Sequence, residues 1–145
     1  MCETNFINTS RPTPKSKAVS KHMRGIGTKR TGVERRVRNV MSAEKIRFKG
    51  NVRSLPGSPD LVVSELKLAI FVNGCFWHGC PRCYSAPKHN RAWWNRKISN
   101  NRRRDRRVTR QLRDLGYSVI HLWEHDSDKR IRARIRCAHR RCQRK

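Results

Sequence analysis

Apolar residues recur along this chain in two rhythms, and those rhythms predict the order of its elements. Val33, Val37, Val40 and Met41 share one face at a 3.6-residue period, which predicts a helix. Thr31-Gly32-Val33-Glu34 opens that helix as a capping box, with Thr31 as N-cap and Glu34 in the first turn. Ile46 to Phe48 reads as a short strand. Leu61-Val62-Val63 is an apolar run that follows Asp60 and the turn-rich Leu55-Pro56-Gly57-Ser58-Pro59. Ser64 to Lys67 form a tight reversal into the strongest strand pattern, Leu68-Ala69-Ile70-Phe71-Val72. A long helix is expected from about Trp93 to Leu115, with Ile98, Val108, Leu112 and Leu115 buried and Gly116 ending it. Tyr117 to Trp123 is the last strand, with Trp123 in the core. The result is an α/β fold, a small mixed central sheet flanked by helices.

The two ends read differently from this middle. Residues 1–19 are polar, carry Pro12 and Pro14, and are expected to form a flexible basic arm. A short basic helix starts near Ser16 or Lys17, includes Lys21, His22, Met23 and Arg24, and stops at Gly25 and Gly27. Residues 129–145 hold nine basic residues and no acidic one, and read as a solvated basic tail that includes Cys137 and Cys142. Residues 20–128 are left as one folded domain.

Charge narrows the function. Against 10 Asp+Glu stand 36 Lys+Arg, a formal net charge of +26. A field of that size calls for a polyanion, and nucleic acid is the first choice. No basic amphipathic helix with a broad apolar face suggests a membrane surface, and there is no apolar run of spanning length and no secretory leader. In a reducing compartment six cysteines point to metal rather than disulfides.

Three of those thiols lie in Asn73-Gly74-Cys75-Phe76-Trp77-His78-Gly79-Cys80-Pro81-Arg82-Cys83. Cys75-x4-Cys80-x2-Cys83 has metal-ligand spacing, and a structural zinc site requires a fourth N or S ligand. His125, at the end of the last strand, is the best candidate; Cys137, His139 and Cys142 compete for the role. The same spacing serves plant-type iron–sulfur clusters, but the positive charge and the histidines favour zinc. His78 sits between ligands and does not easily share their site, which leaves it available as a general base.

Magnesium-dependent phosphodiester hydrolysis needs hard oxygen ligands and a base for water. Among so few carboxylates, Asp60 stands out at a strand edge beside a loop. Glu65 and Lys67 lie too close behind it to share one metal and read as turn residues. Glu34 is accounted for by the capping box, and catalysis is a second role for the same side chain.

Taken together these segments resemble the very short patch repair endonucleases, bacterial enzymes that nick DNA at T·G mismatches. The resemblance runs from about Ser20 to His125. It includes Met23-Arg24, Thr31-x-x-Glu34, Leu55-Pro56-Gly57-x-Pro59-Asp60 and Gly74-Cys75-Phe76-Trp77-His78-Gly79-Cys80-Pro81. It continues with Trp94-x3-Ile98, Asn101-x3-Asp105-Arg106-Arg107, Leu115-Gly116-Tyr117-x-Val119 and Trp123-Glu124.

The resemblance implies a restriction-endonuclease-like core with a structural Zn²⁺ on Cys75, Cys80, Cys83 and His125. It implies Mg²⁺-dependent cleavage of one strand, 5′ to a thymine mispaired with guanine after 5-methylcytosine deamination. Asp60 and the Val72 carbonyl would hold Mg²⁺, Glu34 a metal-bound water, and His78 would activate the attacking water. Phe76, Trp77 and Trp94 would form a wedge pushed into the base stack, with Met23 entering from the opposite groove. Arg24, Lys97 and Asn101 join these as DNA-binding positions, and Asn73 completes the catalytic set. Asn73 stands where a histidine or aspartate is expected; an amide binds phosphate but is a poor base.

Nicking of one strand suits a monomer, and the expected location is the cytoplasm, at the bacterial nucleoid. By the same resemblance the enzyme's partners would be mismatched double-stranded DNA, a cytosine-5 methyltransferase of the same site and mismatch-repair factors. Two other readings compete: a site-specific nicking enzyme of the same fold, and a zinc-stabilised DNA-binding protein without catalysis.

Overall fold

The computed structural model describes residues 32–144, together with Thr13, Ser16 and Lys17. The basic helix with Met23 and Arg24, the Thr31 cap and the rest of the N-terminal arm lie outside the described residues.

Helix α1 spans Gly32–Ala43 and turns Val37, Val40 and Met41 inward, as their period requires. Its end explains why no strand forms at Ile46 to Phe48. Lys45 adopts a left-handed conformation at φ 55°, and the Ile46 N–H returns to the Met41 carbonyl at 3.0 Å. That bond terminates the helix and commits the backbone of Ile46 locally. Ile46 and Phe48 still pack against the core, but pairing begins only at strand β1, Lys49–Gly50.

Strand β2 covers Leu61–Val63 and strand β3 Leu68–Asn73, joined by a 3₁₀ turn at Ser64–Leu66. Helix α2, Arg91–Asp114, carries the chain to strand β4, Ser118–Trp123. The sheet order is β1-β2-β3-β4, with the first two pairings antiparallel and β3–β4 parallel. Leu68, Ile70, Ile120 and Leu122 join α1 in the main core on one face. Phe71, Asn73 and His121 point to the other face, where α2 lies.

Two expectations about α2 and β4 are corrected. Leu115 is 52% exposed, because it lies beyond the last helical turn rather than on the face of Ile98 and Leu112. Trp123 is only partly buried and lines a cleft beside α2.

The larger correction is at the C-terminus. Residues Asp128–Gln143 form helix α3, not a solvated tail. Ser127 caps it by accepting the Arg130 N–H at 3.3 Å, and Asp128 sits in the first turn, where a negative charge favours the helix dipole. Ile131, Ile135, Ala138 and Cys142 recur as one helical stripe and are all buried in the main core. Burying each isoleucine contributes roughly 1.5–3 kcal/mol, more than an exposed arginine on the opposite face takes away. Glu44 also receives Arg136 at 2.6 Å and Arg132 at 3.2 Å, and Arg36 reaches Asp128 at 2.7 Å. Cys142 is therefore a core residue, while Cys137 is exposed.

Candidate active site and metal centre

The cysteine segment follows directly from the end of β3, and three neighbours hold it in shape. Within the loop the Cys80 N–H donates to the Cys75 carbonyl at 2.8 Å, and the His78 N–H to Gly74 at 3.2 Å. From α2, the Asn101 amide donates to the Trp77 carbonyl at 2.8 Å, and Arg102 donates to the Gly79 carbonyl. From the end of β4, a Glu124 carboxylate oxygen accepts the Cys75 N–H at 3.1 Å. Gly79 has φ +59°, and a Cβ there would lie 2.5 Å from Ile98 Cγ2, so only glycine allows α2 this close.

This clamping brings Cys75, Cys80, Cys83 and His125 together, with all four ligand atoms within 4.8 Å of one another. His125 Nδ1 lies 3.2 Å from Cys75 Sγ, 3.6 Å from Cys80 Sγ and 3.3 Å from Cys83 Sγ. A tetrahedral zinc site, with bonds of about 2.3 Å to sulfur and 2.0 Å to nitrogen, needs such edges at about 3.5 Å. The donor set and its spacing fit a metal ion. Burial, together with the adjacent Cys83 and Cys80 thiols, pushes Cys75 up to about 11. Burial also opposes ionisation of Cys80, but the backbone N–H groups of Arg82 and Cys83 outweigh it and bring that thiol below its ordinary range. Cys137 and Cys142 lie on α3 outside this group.

His78, three residues after Cys75 and two before Cys80, takes a different direction, toward α2. Its Nδ1 is 2.7 Å from the Asp105 carboxylate. Burial raises the Asp105 carboxyl, but the His78 hydrogen bond and the charges of His78, Arg104 and His121 bring it below its usual value. Asp60 sits across from them at the β2 edge, where its Oδ2 accepts the Val72 N–H at 2.7 Å. Burial lifts Asp60 above the ordinary carboxylate value, against the pull of that bond and of the His78 and Arg38 charges. The N–H and C=O of one strand residue point to the same side, so the Val72 carbonyl shares this edge with Asp60. Glu34 is buried on α1, 4.0 Å from Arg38 one turn on.

Asn73 is buried at the end of β3, and its Nδ2 lies 3.2 Å from His121 Nδ1 on β4. The opposite ring nitrogen of His121 is 3.0 Å from Thr109 Oγ1 on α2. Asn73, His78, Asp105, Thr109 and His121 line one cleft of about 660 Å³, rimmed by Arg106, Arg110 and Arg113.

Beside that cleft the aromatic residues form one cluster. Phe76 meets Trp77 at 5.3 Å and Trp94 at 5.1 Å, and Trp77 meets Trp94 at 5.9 Å. Trp93 packs edge-on against Trp94 at 4.8 Å. All four rings are partly exposed. Lys97 is exposed on α2, whereas the Asn101 amide nitrogen serves the loop itself.

Two site residues were given no role from the sequence. Asp105 stands in the Asn101-x3-Asp105-Arg106-Arg107 motif of the resemblance and is the only acid in the arginine run from Arg102 to Arg113, but neither feature names its partner. His121 reads as an interior strand position and carries no local signal at all.

The family model described as DNA mismatch endonuclease Vsr matches residues 13–84. Over 107 residues the chain is 40% identical to the DNA mismatch endonuclease Vsr of Escherichia coli, covering 72% of this chain and 68% of that one. It is 38% identical over 104 residues to the Type II nicking enzyme V.XorIIP of Xanthomonas oryzae pv. oryzae, covering 70% and 76%. With the Type II nicking enzyme V.NmeAIP of Neisseria meningitidis it shares 36% identity over 101 residues, covering 68% and 71%. The matched segment includes Asp60, His78 and the three clustered thiols, and the chain belongs to the DNA mismatch endonuclease Vsr family.

Proposed function

We propose that this protein is a Mg²⁺-dependent, strand-specific DNA endonuclease with a restriction-endonuclease-like core. It nicks one strand 5′ to the thymine of a T·G mismatch left by 5-methylcytosine deamination. The His78–Asp105 pair at 2.7 Å, which joins the cysteine loop to α2 beside the aromatic rings of both, is the observation that carries this reading.

The chemistry follows from the atoms. Asp105 accepts the His78 Nδ1 proton and fixes the ring, which leaves Nε2 as a lone-pair acceptor. A water beside the scissile phosphate can pass its proton to that nitrogen as it attacks. Asp60 Oδ2 is engaged by Val72, so its other oxygen and the Val72 carbonyl remain for a hard cation. Mg²⁺ held there would supply Lewis-acid polarisation of the phosphate. Glu34, near Arg38, is a second carboxylate for orienting water, and Asn73 supplies an amide to the phosphate. Cys75, Cys80, Cys83 and His125 would hold Zn²⁺; four protein ligands leave no open position, so that metal is structural.

Phe76, Trp77 and Trp94 are the wedge. Separating a base step costs a few kcal/mol, and a wobble pair is weaker than a matched one. Deformability is then what the wedge reads. The arginines of the cleft rim, with Lys97, bind phosphate and make affinity fall with salt.

The substrate is thus mismatched double-stranded DNA, cut by a monomer in the cytoplasm, downstream of a cytosine-5 methyltransferase and alongside mismatch-repair factors. Among the described residues no helix is long and apolar enough to cross a membrane. A second reading is a nicking enzyme with its own recognition sequence, favoured by the names of two of the relatives.

A strand-resolved nicking assay on T·G and T·A duplexes, with and without Mg²⁺, tests both. Nicking of the T·G strand alone is expected, and only with Mg²⁺. Equal cutting of both duplexes would leave the second reading, and binding without any cutting would leave a DNA-binding protein.

A further inference from the structure

Asn73 is only 5% exposed, so its amide works in a fixed orientation or not at all. A primary amide can turn over and exchange its donor for its acceptor. Turned one way it offers N–H to a phosphate oxygen; turned the other it offers an oxygen, which repels the anion.

The neighbouring strand removes that freedom. The parallel register of β3 and β4 pairs Phe71 with His121 and Asn73 with Trp123, which puts the imidazole beside the amide. Asn73 Nδ2 is 3.2 Å from His121 Nδ1, and an amide nitrogen can only donate, so Nδ1 accepts. The ring proton then belongs on Nε2, where it meets Thr109 Oγ1 at 3.0 Å. Phe71 stacks on the ring at 5.2 Å with a 15° interplanar angle. Burial holds the ring neutral, with His78, Arg134 and Arg113 acting in the same direction and Asp105 opposing. Each link has a partner on a different element: β3, β4 and α2.

We propose that His121 is a positioning residue for Asn73, holding the amide so that its remaining N–H meets a nonbridging oxygen of the scissile phosphodiester. The inference rests on the nicking reading and deepens it. His121 itself touches no substrate; it acts through Asn73, and Thr109 acts through His121.

The test compares variants of the full chain in the strand-resolved nicking assay on a T·G duplex. His121→Phe keeps a ring over Phe71 and loses both nitrogens, and is expected to lower kcat by about 10- to 100-fold with KM within about threefold. His121→Asn, whose amide oxygen can stand where Nδ1 was, is expected to recover most of that loss. Thr109→Val should lower kcat by only about threefold. A packing role would instead shift the melting temperatures of the two His121 variants and leave Asn no better than Phe. That pattern, or a His121→Phe variant within about twofold of wild type, overturns the proposal. Wild-type protein with ¹⁵N-labelled histidine provides the independent readout, with His121 expected as the Nε2–H tautomer. An Nδ1–H tautomer in an active wild type overturns this inference alone, whereas a wild type that nicks no duplex overturns the nicking reading together with it.

Discussion

The cysteine loop and helix α3 both lie outside the central sheet, and opposite forces order them. In the loop, Gly79 and Cys80 are the buried residues between Gly74 and Cys83, so little apolar area is removed from water there. Its shape depends on four converging ligand atoms and on hydrogen bonds from Asn101, Arg102 and Glu124. Helix α3 has the reverse balance: Ile131, Ile135, Ala138 and Cys142 enter the main core, and its arginines neutralise acids at the rim. If the group holds a metal as proposed, order in the loop depends on that cation, and order in the helix does not.

The two regions meet at Asp126, which is 1% exposed. Its carboxylate accepts the Trp123 N–H at 2.9 Å and pairs with Arg130 at 2.9 Å and Arg134 at 3.4 Å. His125 Nε2 lies 3.7 Å away, so the residue that follows the imidazole of the candidate metal group also anchors the helix.

The hardest test of this contrast is removal of a ligand. Cys80→Ser should abolish stoichiometric zinc and nicking and lower the melting temperature by about 10 °C, as metal analysis and thermal melting would record. If zinc content survived, the loop would not depend on the ion as argued. His78→Gln should slow nicking by about 1000-fold, roughly 4 kcal/mol, while zinc content and melting temperature stay at wild-type values. A matching fall in stability would place His78 among the structural residues.

On the other side of the comparison, Ile135→Ala should cost about 3 kcal/mol in denaturant unfolding and leave zinc bound. Loss of zinc from that variant would mean that the two regions fold as one unit through Asp126. Gly79→Ala forces a left-handed residue against Ile98 and should cost about 1–2 kcal/mol, with nicking reduced more than stability. Leu115→Ala, at a half-exposed position, should change stability by less than about 0.5 kcal/mol.

The elements whose order rests on local pattern were legible. The inward faces of α1 and α2, the β2–β3 reversal and the β4 strand follow from apolar spacing and from turn residues. The candidate metal ligands were legible too: Cys75, Cys80 and Cys83 fall within nine residues, and His125 at the end of the last strand was the best of the candidates for the fourth. Helix α3 was misread although its stripe at 131, 135, 138 and 142 is regular. Nine surrounding cations suggested solvation, and nothing local indicated that Glu44 and Asp126 stand ready to receive several of them.

The cleft was legible only in part. Asp60 and His78 stood out by residue type and context, but the partners of His78 and Asn73 did not. Asp105 is 27 positions from His78, and His121 is 48 from Asn73. Each pair exists because α2 docks on the sheet and β4 lies parallel to β3 at one particular register.

The amino-acid order alone determined the strong positive charge, the thiol spacing and the helical and strand periods, because none of these depends on how the chain folds back on itself. Tertiary structure decided which histidine joins the thiols, which carboxylate holds His78, which ring steadies Asn73 and whether the C-terminal segment is buried. Those outcomes depend on strand register and helix docking, which are set by burial summed over the whole core and not by any single stretch of chain.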